Sequence, residues 1–504
     1  MDMGVRLKRL TYLVHRWTGV AGCVLMALWF VSGVVMLYVG YPKLTPWERL
    51  GALPALEEAG CCAPLDAVLA GPPSAAGAVL TSIGGEPRYV LRGDHGDWRV
   101  LSARDGTPQG PATPGQALAA ARAYAPGAPL RLEDRIHEDR WTHSRGLDAH
   151  RPLYRVIVGG AAPGTLYVSS ATGQVVMDAP LSQQRWNYVG AWLHWLYMFR
   201  DRPVDPGWSW LVIVLSAACT VSAVTGVVVG IWRWRFQGRY RSGARTPYRE
   251  GWMRWHHIAG LVFSAFICTW IFSGLMSMNP VDVFSPAAGG PDRAAYQGRA
   301  PAPGGVLAQP TRIVHALRVH GFVAVELQWR CLDGQEYVLA YDRHADTRVV
   351  RAAGGGLAVD RSFAAGDVLP AAARLFAQPV TGSGFLSDYD AYYYQRHPEA
   401  MNGAAQRGLP ALRLDFADAG RTRVYIDLRT GEVATSLSRS QRVGRWLFYF
   451  LHSWDTPALL RGGLARELAL IALSVGGLAV SLTGVVIGWR RLRGKVAGRL
   501  RPRS

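Results

Sequence analysis

The chain has 504 residues and a formal net charge of +19. That length is too great for one simple core, so several structural units are expected. The basic residues are densest beside long apolar runs rather than along a polar surface, which argues against nucleic acid as a partner.

Four apolar runs are long enough to cross a bilayer, which takes roughly 20 residues per helix. In chain order they are Val20–Val39, Trp208–Trp232, Ile258–Met278 and Leu468–Trp489. Two long polar stretches separate the first run from the second and the third from the fourth. The sequence therefore predicts four transmembrane helices and two large polar domains.

Arginine and lysine cluster in three places: before the first apolar run, between the second and third, and after the fourth. With four spans these places share one side, which the positive-inside rule assigns to the cytoplasm. The first run is long and lacks a small-residue cleavage site, so it is predicted to be a signal anchor. We therefore expect a multi-pass protein of a bacterial inner membrane, in contact with its lipid, with both termini inside and both polar domains in the periplasm.

These expectations divide the chain into eight segments. In order they are the N-terminus and first span (1–40), the first periplasmic domain (41–185), a histidine segment with the second span (186–235), a basic cytoplasmic loop (236–255), the third span (256–279), the second periplasmic domain (280–442), a second histidine segment with the fourth span (443–490) and a basic tail (491–504).

A histidine pattern occurs twice in the apolar runs. In each copy glycine follows histidine by four positions, tryptophan by fourteen, and Ser-Gly by seventeen and eighteen. The copies are His15, Gly19, Trp29 and Ser32-Gly33, and then His256, Gly260, Trp270 and Ser273-Gly274. A second pair of histidines, His194 and His452, precedes Thr225-Gly226 and Thr483-Gly484 by equal intervals.

The second pair of histidines is 258 positions apart, and the same offset relates the ends of the two polar domains. The first pair is 241 apart, so the second half carries about seventeen extra outer residues. Each half contains two spans, and such parallel repeats are related by an axis along the membrane normal. We therefore expect His15 to face His256, and His194 to face His452. The polar domains have the strand alternation and short helices of an α+β fold, with one strand predicted at Leu153–Val158.

Metal-binding side chains in lipid are functional candidates by default. The carboxylate and cysteine partners of zinc sites are missing from these segments. Haem is thus the predicted cofactor, and without Cys-x-x-Cys-His it would be b-type. We predict two haems whose iron is bound by His15 with His256 and by His194 with His452, as in electron-transfer centres. The glycine one turn from each inner histidine, Gly19 or Gly260, would open space for a flat macrocycle. The alternative interpretation of these glycines is close helix packing.

Other features leave alternatives open. His257 competes with His256, since adjacent helical residues point about 100° apart and only one can serve. An aromatic run with a nearby histidine, Tyr392, Tyr393, Tyr394 and His397, could form a substrate surface or pack a domain, and the first half shows no counterpart to it. Cys61, Cys62 and Cys331 are on the oxidising side, where a disulfide among them can form.

Together these motifs resemble the PepSY-associated transmembrane family. The resemblance spans nearly the whole chain and rests on His15-Arg-Trp-Thr-Gly19, Asp390-Ala-Tyr-Tyr-Tyr394 with His397, Leu409-Pro410 with Arg413, Tyr425-Ile-Asp-Leu-Arg-Thr-Gly431, Arg445-Trp-Leu-Phe448 with Leu451-His-Ser-Trp-Asp455, and Thr483-Gly484. Some members of the family are similar to inner-membrane di-haem reductases of iron-siderophores. The resemblance implies four spans, two PepSY-like periplasmic domains and two b haems.

The sequence thus favours an electron-transfer protein that reduces a periplasmic ferric chelate, with a ferric siderophore as the expected partner. The chain has no GxGxxG loop, so its electron donor would be a separate cytoplasmic protein or a quinol. Two alternatives are a membrane protein whose PepSY-like domains regulate a protease or a sensor, and a siderophore transporter.

Overall fold

The computed structural model describes most of the chain, namely residues 3–58, 61–69, 77–93, 97–202, 204–286, 289–298, 304–401, 403 and 405–499, with side chains as far as 494. Two compact units are formed by alternating parts of the chain. The helical unit contains Met1–Gly40, Arg185–Ser285 and Ser440–Ser504, and the sheet unit contains Tyr41–Gln184 and Pro286–Arg439. Both regions predicted as outer domains contribute to the single sheet unit.

The apolar runs form the long helices of the helical unit. They are α1 (Met3–Met36), α2 (Pro206–Arg233), α3 (Gly251–Val262), α4 (Ser264–Ser277) and α5 (Gly463–Arg499). Within the described chain, α1, α2 and α5 are each long and apolar enough to cross a membrane. The third predicted span differs from expectation, because α3 and α4 are bent by 73° and make a fourth span only if the pair counts as one.

The bend between α3 and α4 falls at Phe263. Its backbone leaves the helical region, with φ −95° and ψ 7°, and its ring packs directly against Gly476 of α5. The small residue on α5 makes room for a bulky side chain that points sideways from the break. This packing could not be read from the hydropathy of the run, which is continuous.

Two further helical segments lead into α2 and α5. The first runs through Leu181–Asn187 and the π-helical turn Tyr188–Trp192, and the second through Arg439–Gly444, the π-helical turn Arg445–Phe450 and Leu451–Ser453. Short helices follow at Tyr197–Phe199 and Pro457–Leu460. These segments carry His194 and His452.

The largest sheet of the sheet unit has eight strands, in the order β12-β11-β10-β9-β1-β2-β3-β4. Its strands are β1 (Val79–Ile83), β2 (Glu86–Arg92), β3 (Trp98–Ser102), β4 (Pro108–Gln109), β9 (Glu326–Leu332), β10 (Gln335–Tyr341), β11 (Thr347–Ala353) and β12 (Gly356–Asp360). Four strands come from each half of the chain. The halves are joined where β1 pairs with β9, with Leu80 opposite Leu327.

Two antiparallel sheets of four strands complete the sheet unit, in the orders β5-β6-β7-β8 and β13-β14-β15-β16. Their strands are β5 (Leu130–Ile136), β6 (Leu153–Val158), β7 (Gly164–Ser169), β8 (Val175–Pro180), β13 (Val380–Leu386), β14 (Ala411–Phe416), β15 (Arg423–Asp427) and β16 (Glu432–Leu437). The strand predicted at Leu153–Val158 has these same bounds. In one strand of each sheet, β6 and β14, buried residues alternate with half-buried ones, as expected for a strand with one face on a core.

Helices cover the inner faces of these smaller sheets. Pro114–Tyr124 packs its alanines on the first sheet, and Ala365–Ala372 packs on the second. Other short helices of this unit are Pro46–Gly51, Leu65–Val68, Arg145–His150, Arg293–Gln297, Gly305–Ala308, Pro310–Val319 and Ala373–Leu375. Cys61 and Cys62 are disulfide-bonded to each other, whereas Cys331 is a buried thiol that donates to the Gln297 carbonyl.

Candidate functional site

His15 of α1 and His256 of α3 face each other inside the helical unit, with ring centres 6.3 Å apart. Nδ1 of His15 lies 3.0 Å from the Ser222 carbonyl oxygen. Nδ1 of His256 lies 3.2 Å from the Val480 carbonyl oxygen and 3.0 Å from Oγ1 of Thr483. A carbonyl only accepts, so each Nδ1 carries the proton. The lone pair of each ring is therefore on Nε2, the atom that can bind a metal.

Glycines lie against both rings of this inner pair. A Cβ on Gly226 would be 2.7 Å from Cε1 of His15, and one on Gly484 would be 3.5 Å from Cε1 of His256. The sequence related these two glycines to the outer histidines by spacing. The structure instead places them beside the inner pair, because α2 and α5 return across the unit after the outer histidine segments.

A cavity of about 290 Å³ opens around the inner pair. Small-molecule sites span roughly 300–1,000 Å³, so the space falls just below that range. Gly19 and Gly260, one turn from each histidine, line it as the pattern predicted, and nothing lies within 4 Å of the Cβ position of Gly260. The cavity also reaches two arginines, Arg16 and Arg491.

His194 and His452 form a second pair, with ring centres 6.1 Å apart. Nδ1 of His194 is 2.9 Å from Oγ of Ser32, and Nδ1 of His452 is 3.0 Å from Oγ of Ser273. Each serine donates its own hydrogen to a backbone carbonyl one turn earlier, at Leu28 or Trp270. The serine oxygen must therefore accept from Nδ1–H, and this leaves the lone pair on Nε2 again.

The repeated Ser-Gly dipeptide thus has a defined place in the site. Its serine orients the outer histidine, and its glycine lies beside the same ring. A Cβ would be 3.9 Å from Cε1 of His194 at Gly33 and 3.8 Å from Cε1 of His452 at Gly274. The dipeptide is 17 residues beyond the inner histidine, which corresponds to roughly 25 Å along a helix. In the first half one helix, α1, therefore supplies both a ligand candidate and an orienting group, whereas in the second half these residues lie on α3 and α4.

The outer histidines belong to segments with the same unusual backbone. A π-helical turn precedes each histidine, and a residue in the left-handed conformation follows it by two positions. These residues are Leu196, with φ 55°, and Trp454, with φ 49°. Strained backbone and π-turns concentrate at functional sites. In the first segment the indole N–H of Trp29 donates to the His194 carbonyl and ties the segment to α1.

A buried ion pair brackets the second outer histidine. Nη1 of Arg445 lies 2.8 Å from Oδ1 of Asp455, and the side chains are 5% and 0% exposed. The positions 258 residues earlier are Asn187 and Tyr197, which cannot form an acid–base pair. Asn187, the counterpart of Arg445, is buried and donates to the Gly40 carbonyl. Arg445 and Asp455 both belong to the sequence motif around His452. Their pairing joins opposite ends of a bent segment, so no periodic spacing in the sequence predicts it.

His257, the alternative to His256, also lines the cavity, but both of its ring nitrogens are bonded to the protein. It is buried, with Nδ1 2.7 Å from Oγ1 of Thr246 and Nε2 2.9 Å from the Gly230 carbonyl oxygen. Both ring nitrogens are thus occupied by the protein, whereas His256 faces His15. The geometry therefore favours His256 over His257 as a ligand.

The aromatic run of the sheet unit belongs largely to a core. Tyr393 is 0% exposed, stacks on Tyr425 with ring centres 5.1 Å apart and donates to the Gly408 carbonyl. Tyr394 is also buried, Tyr392 is half-buried, and His397 is exposed. A fully buried side chain does not meet a docked substrate, so Tyr393 is a packing residue.

One contact of this loop recurs in the first half, although the tyrosine run itself does not. Tyr425 donates to Oδ2 of Asp390 at 2.7 Å, and Tyr167, 258 positions earlier, donates to Oδ2 of Asp139 at 2.7 Å. Each aspartate also accepts backbone N–H groups just after it. The two tyrosines share the 258-residue offset of the repeat, so the sequence could have indicated this contact. The two aspartates do not share that offset, because the loops differ in length.

Asp178 of β8 is a carboxyl group of the sheet unit whose pKa is strongly raised. Burial raises the pKa of Asp178 to about 7, and the nearby carboxylates of Glu48 and Glu399 add to the effect. The Tyr124 hydroxyl donates to it at 3.0 Å and opposes the shift.

Two facing histidines fit a haem iron. A metal–imidazole bond of about 2 Å on each side, plus roughly 1 Å from each nitrogen to its ring centre, gives ring centres roughly 6 Å apart. The two pairs measure 6.3 and 6.1 Å. Within the described residues no group of three or more His, Cys, Asp or Glu side chains could hold a metal ion. The chain's histidines therefore suit an iron whose remaining ligands come from a macrocycle.

Comparison with protein families gives one match. The family model described as "PepSY-associated TM region" matches residues 12–352, more than half of the chain. The match includes His15, His194 and His256, while His452 lies beyond it. No curated protein matches the chain.

Proposed function

This chain belongs to the PepSY-associated transmembrane family, and on that premise we propose that it is a membrane electron-transfer protein that reduces a ferric chelate, such as a ferric siderophore. One observation carries the proposal: two pairs of facing histidines, each ring with its Nδ1 hydrogen-bonded and its Nε2 lone pair presented. Two b haems bound there would supply one-electron carriers at two depths.

The proposed topology has four spans in two parallel halves. The bent pair α3–α4 is taken as the third span, and the basic segments place both termini in the cytoplasm of an inner-membrane protein. Three repeated features support duplication: the π-turns, the left-handed residues and the serine–histidine contacts all recur between the halves. With this topology His194 and His452 belong to the periplasmic side.

The chain's own residues would favour electron transfer over oxygen chemistry. Each pair offers two histidines, so a haem iron held there would have both protein ligands it needs and would supply electron transfer rather than oxygen binding. Carbonyl and serine oxygens fix each ring's tautomer and orientation before any cofactor binds. The donor would be a cytoplasmic protein or a quinol.

Reduction would release iron because the two oxidation states differ in ligand preference. Ferric iron is hard and is held strongly by hydroxamate or catecholate oxygens, while ferrous iron is softer and is held less tightly. One electron converts the bound ferric ion to ferrous. The chelate need only dock near the outer pair. Within the sheet unit, half-buried Tyr392 and exposed His397 are the members of the aromatic run whose side chains are accessible to a chelate.

A spectrum and a turnover experiment test this proposal. The purified chain should show a six-coordinate, low-spin b-type spectrum with about two haems per chain. Reduced protein should be reoxidised anaerobically by a ferric siderophore, with ferrous iron trapped by an indicator chelator. His452→Ala should remove one haem and slow reoxidation strongly, whereas His257→Ala serves as the matched control. Reduced protein that stays reduced across ferric siderophores and simple ferric chelates would exclude the reductase assignment.

A further inference from the structure

Two arginines line the cavity of the inner histidine pair without an acidic partner. Arg16 follows His15 on α1, and Arg491 is near the end of α5. Among the described side chains, no aspartate or glutamate forms an ion pair with either. Neighbouring Arg490, by contrast, pairs with Glu250. Arg16 is half-buried and Arg491 is exposed, so the cost of an unpaired guanidinium group falls on Arg16, while Arg491 is free to reach an anion in the cavity.

The residues related to these arginines by the repeat already have hydrogen-bond partners within the protein. The offset of 241 relates Arg16 to His257, which is bonded to Thr246 and Gly230. The offset of 258 relates Arg491 to Arg233, whose Nε donates to the Tyr12 hydroxyl at 2.8 Å. The pairs of histidines are nearly symmetric, but the charged groups around the cavity are not. Arg16 and Arg491 are therefore the pair available to a ligand, whereas His257 and Arg233 are bonded to the protein.

We infer that Arg16 and Arg491 form an anion site that binds carboxylates of the group held between His15 and His256, namely the two propionates of a haem. This inference rests on the proposed function. Arginine binds carboxylate through paired N–H donors and stays charged, which suits a site at a membrane boundary. Because the related positions are occupied, the arginines would also select one of the two orientations that the histidine pairs alone would allow.

An anionic lipid phosphate has the same chemistry as a propionate, so the test must separate the two sources. The full chain carrying His452→Ala retains only the inner site, and Arg16→Gln and Arg491→Gln are made in that background. Arg493→Gln is the matched control, since Arg493 is exposed on the same helix and is not part of the cavity lining. Each protein is loaded with haem or with haem dimethyl ester, whose propionates carry no charge.

Transfer of haem to excess apomyoglobin should be on the order of tenfold faster in each arginine variant than in the control, as expected for loss of one charged hydrogen bond. The midpoint potential of the bound haem should fall, because a positive charge that disfavours ferric iron is gone. With the dimethyl ester, the variants should match the control in both measurements.

Unchanged transfer and potential in both arginine variants would overturn the inference while leaving the haem assignment intact. An equal effect on haem and on its ester would also overturn it, because the arginines would then act on lipid or on the fold. A protein without the substitutions that takes up no haem would refute the proposed function instead.

Discussion

Replacement of Gly226 by alanine should remove the inner haem without removing a ligand. The new Cβ would lie 2.7 Å from Cε1 of His15 and 3.0 Å from its Nδ1. Carbon atoms in contact prefer a separation of about 3.5–4.0 Å, so the ring must move by roughly 0.8 Å or more. Nδ1 is fixed to the Ser222 carbonyl at 3.0 Å, and movement away from Gly226 strains that hydrogen bond.

The displacement exceeds what a ligand site tolerates, which is about 0.5 Å. The same substitution removes a glycine from the interior of α2, and alanine is more favourable in a helix by about 1 kcal/mol. The helix should therefore become slightly more stable while the site fails. These opposite signs distinguish a site effect from general misfolding.

Gly484→Ala is the matched control, because its Cβ would lie 3.5 Å from Cε1 of His256, an ordinary contact. Haem content by the pyridine haemochrome assay should fall from two per chain to one in Gly226→Ala and remain at two in Gly484→Ala. Thermal melting followed by circular dichroism monitors the fold. Two haems in Gly226→Ala, or equal losses in both variants, would refute the geometry of the inner site.

Three other predictions follow from the structure. His256→Ala should lose the inner haem, while His257→Ala should keep both haems and lose about 2 kcal/mol of stability through its two hydrogen bonds; the reverse result would show that the ligand is His257. The raised pKa of Asp178 makes the folded state hold a proton that the unfolded state releases near pH 4, so its stabilising effect is lost as pH rises from about 4 through about 7. Asp178→Asn should flatten that part of the melting-temperature profile, and an unchanged slope would contradict the assignment. A reporter fused at residue 243 should be active only as a cytoplasmic one, and fusions in either outer region only as exported ones; an exported signal at 243 would overturn the topology.

The sequence was informative wherever a feature depended on local spacing. His15 and Ser32-Gly33 lie on one helix, and Leu153–Val158 is one strand, so their intervals survive in the linear chain. The pairing of β1 with β9 joins residues about 250 positions apart and has no periodic signal. The roles of Gly226 and Gly484 were similarly hidden, because the chain returns across the unit before they meet the inner histidines.

Local conformation was the second limit on prediction. The ring of Phe263, where the helix breaks, fills the space left by the missing side chain of Gly476 on another helix. The hydropathy of the run does not indicate this contact. The burial of Tyr393 depends on stacking with Tyr425 and on a carbonyl at Gly408. In both cases the local structure depends on a contact with a residue distant in sequence, which composition does not reveal.

The two halves therefore connect their sites in different ways. In the first half, α1 is continuous from His15 to Ser32, so the proposed ligand of the inner site and the group that orients His194 lie on one helix. In the second half, the bend lies between His256 and Ser273 and separates the same two functions onto α3 and α4. A displacement of His256 thus need not reach His452, whereas a displacement of His15 along its helix also moves Ser32. The continuous helix fixes the spacing of the two sites, and the broken one allows each site to adjust around it.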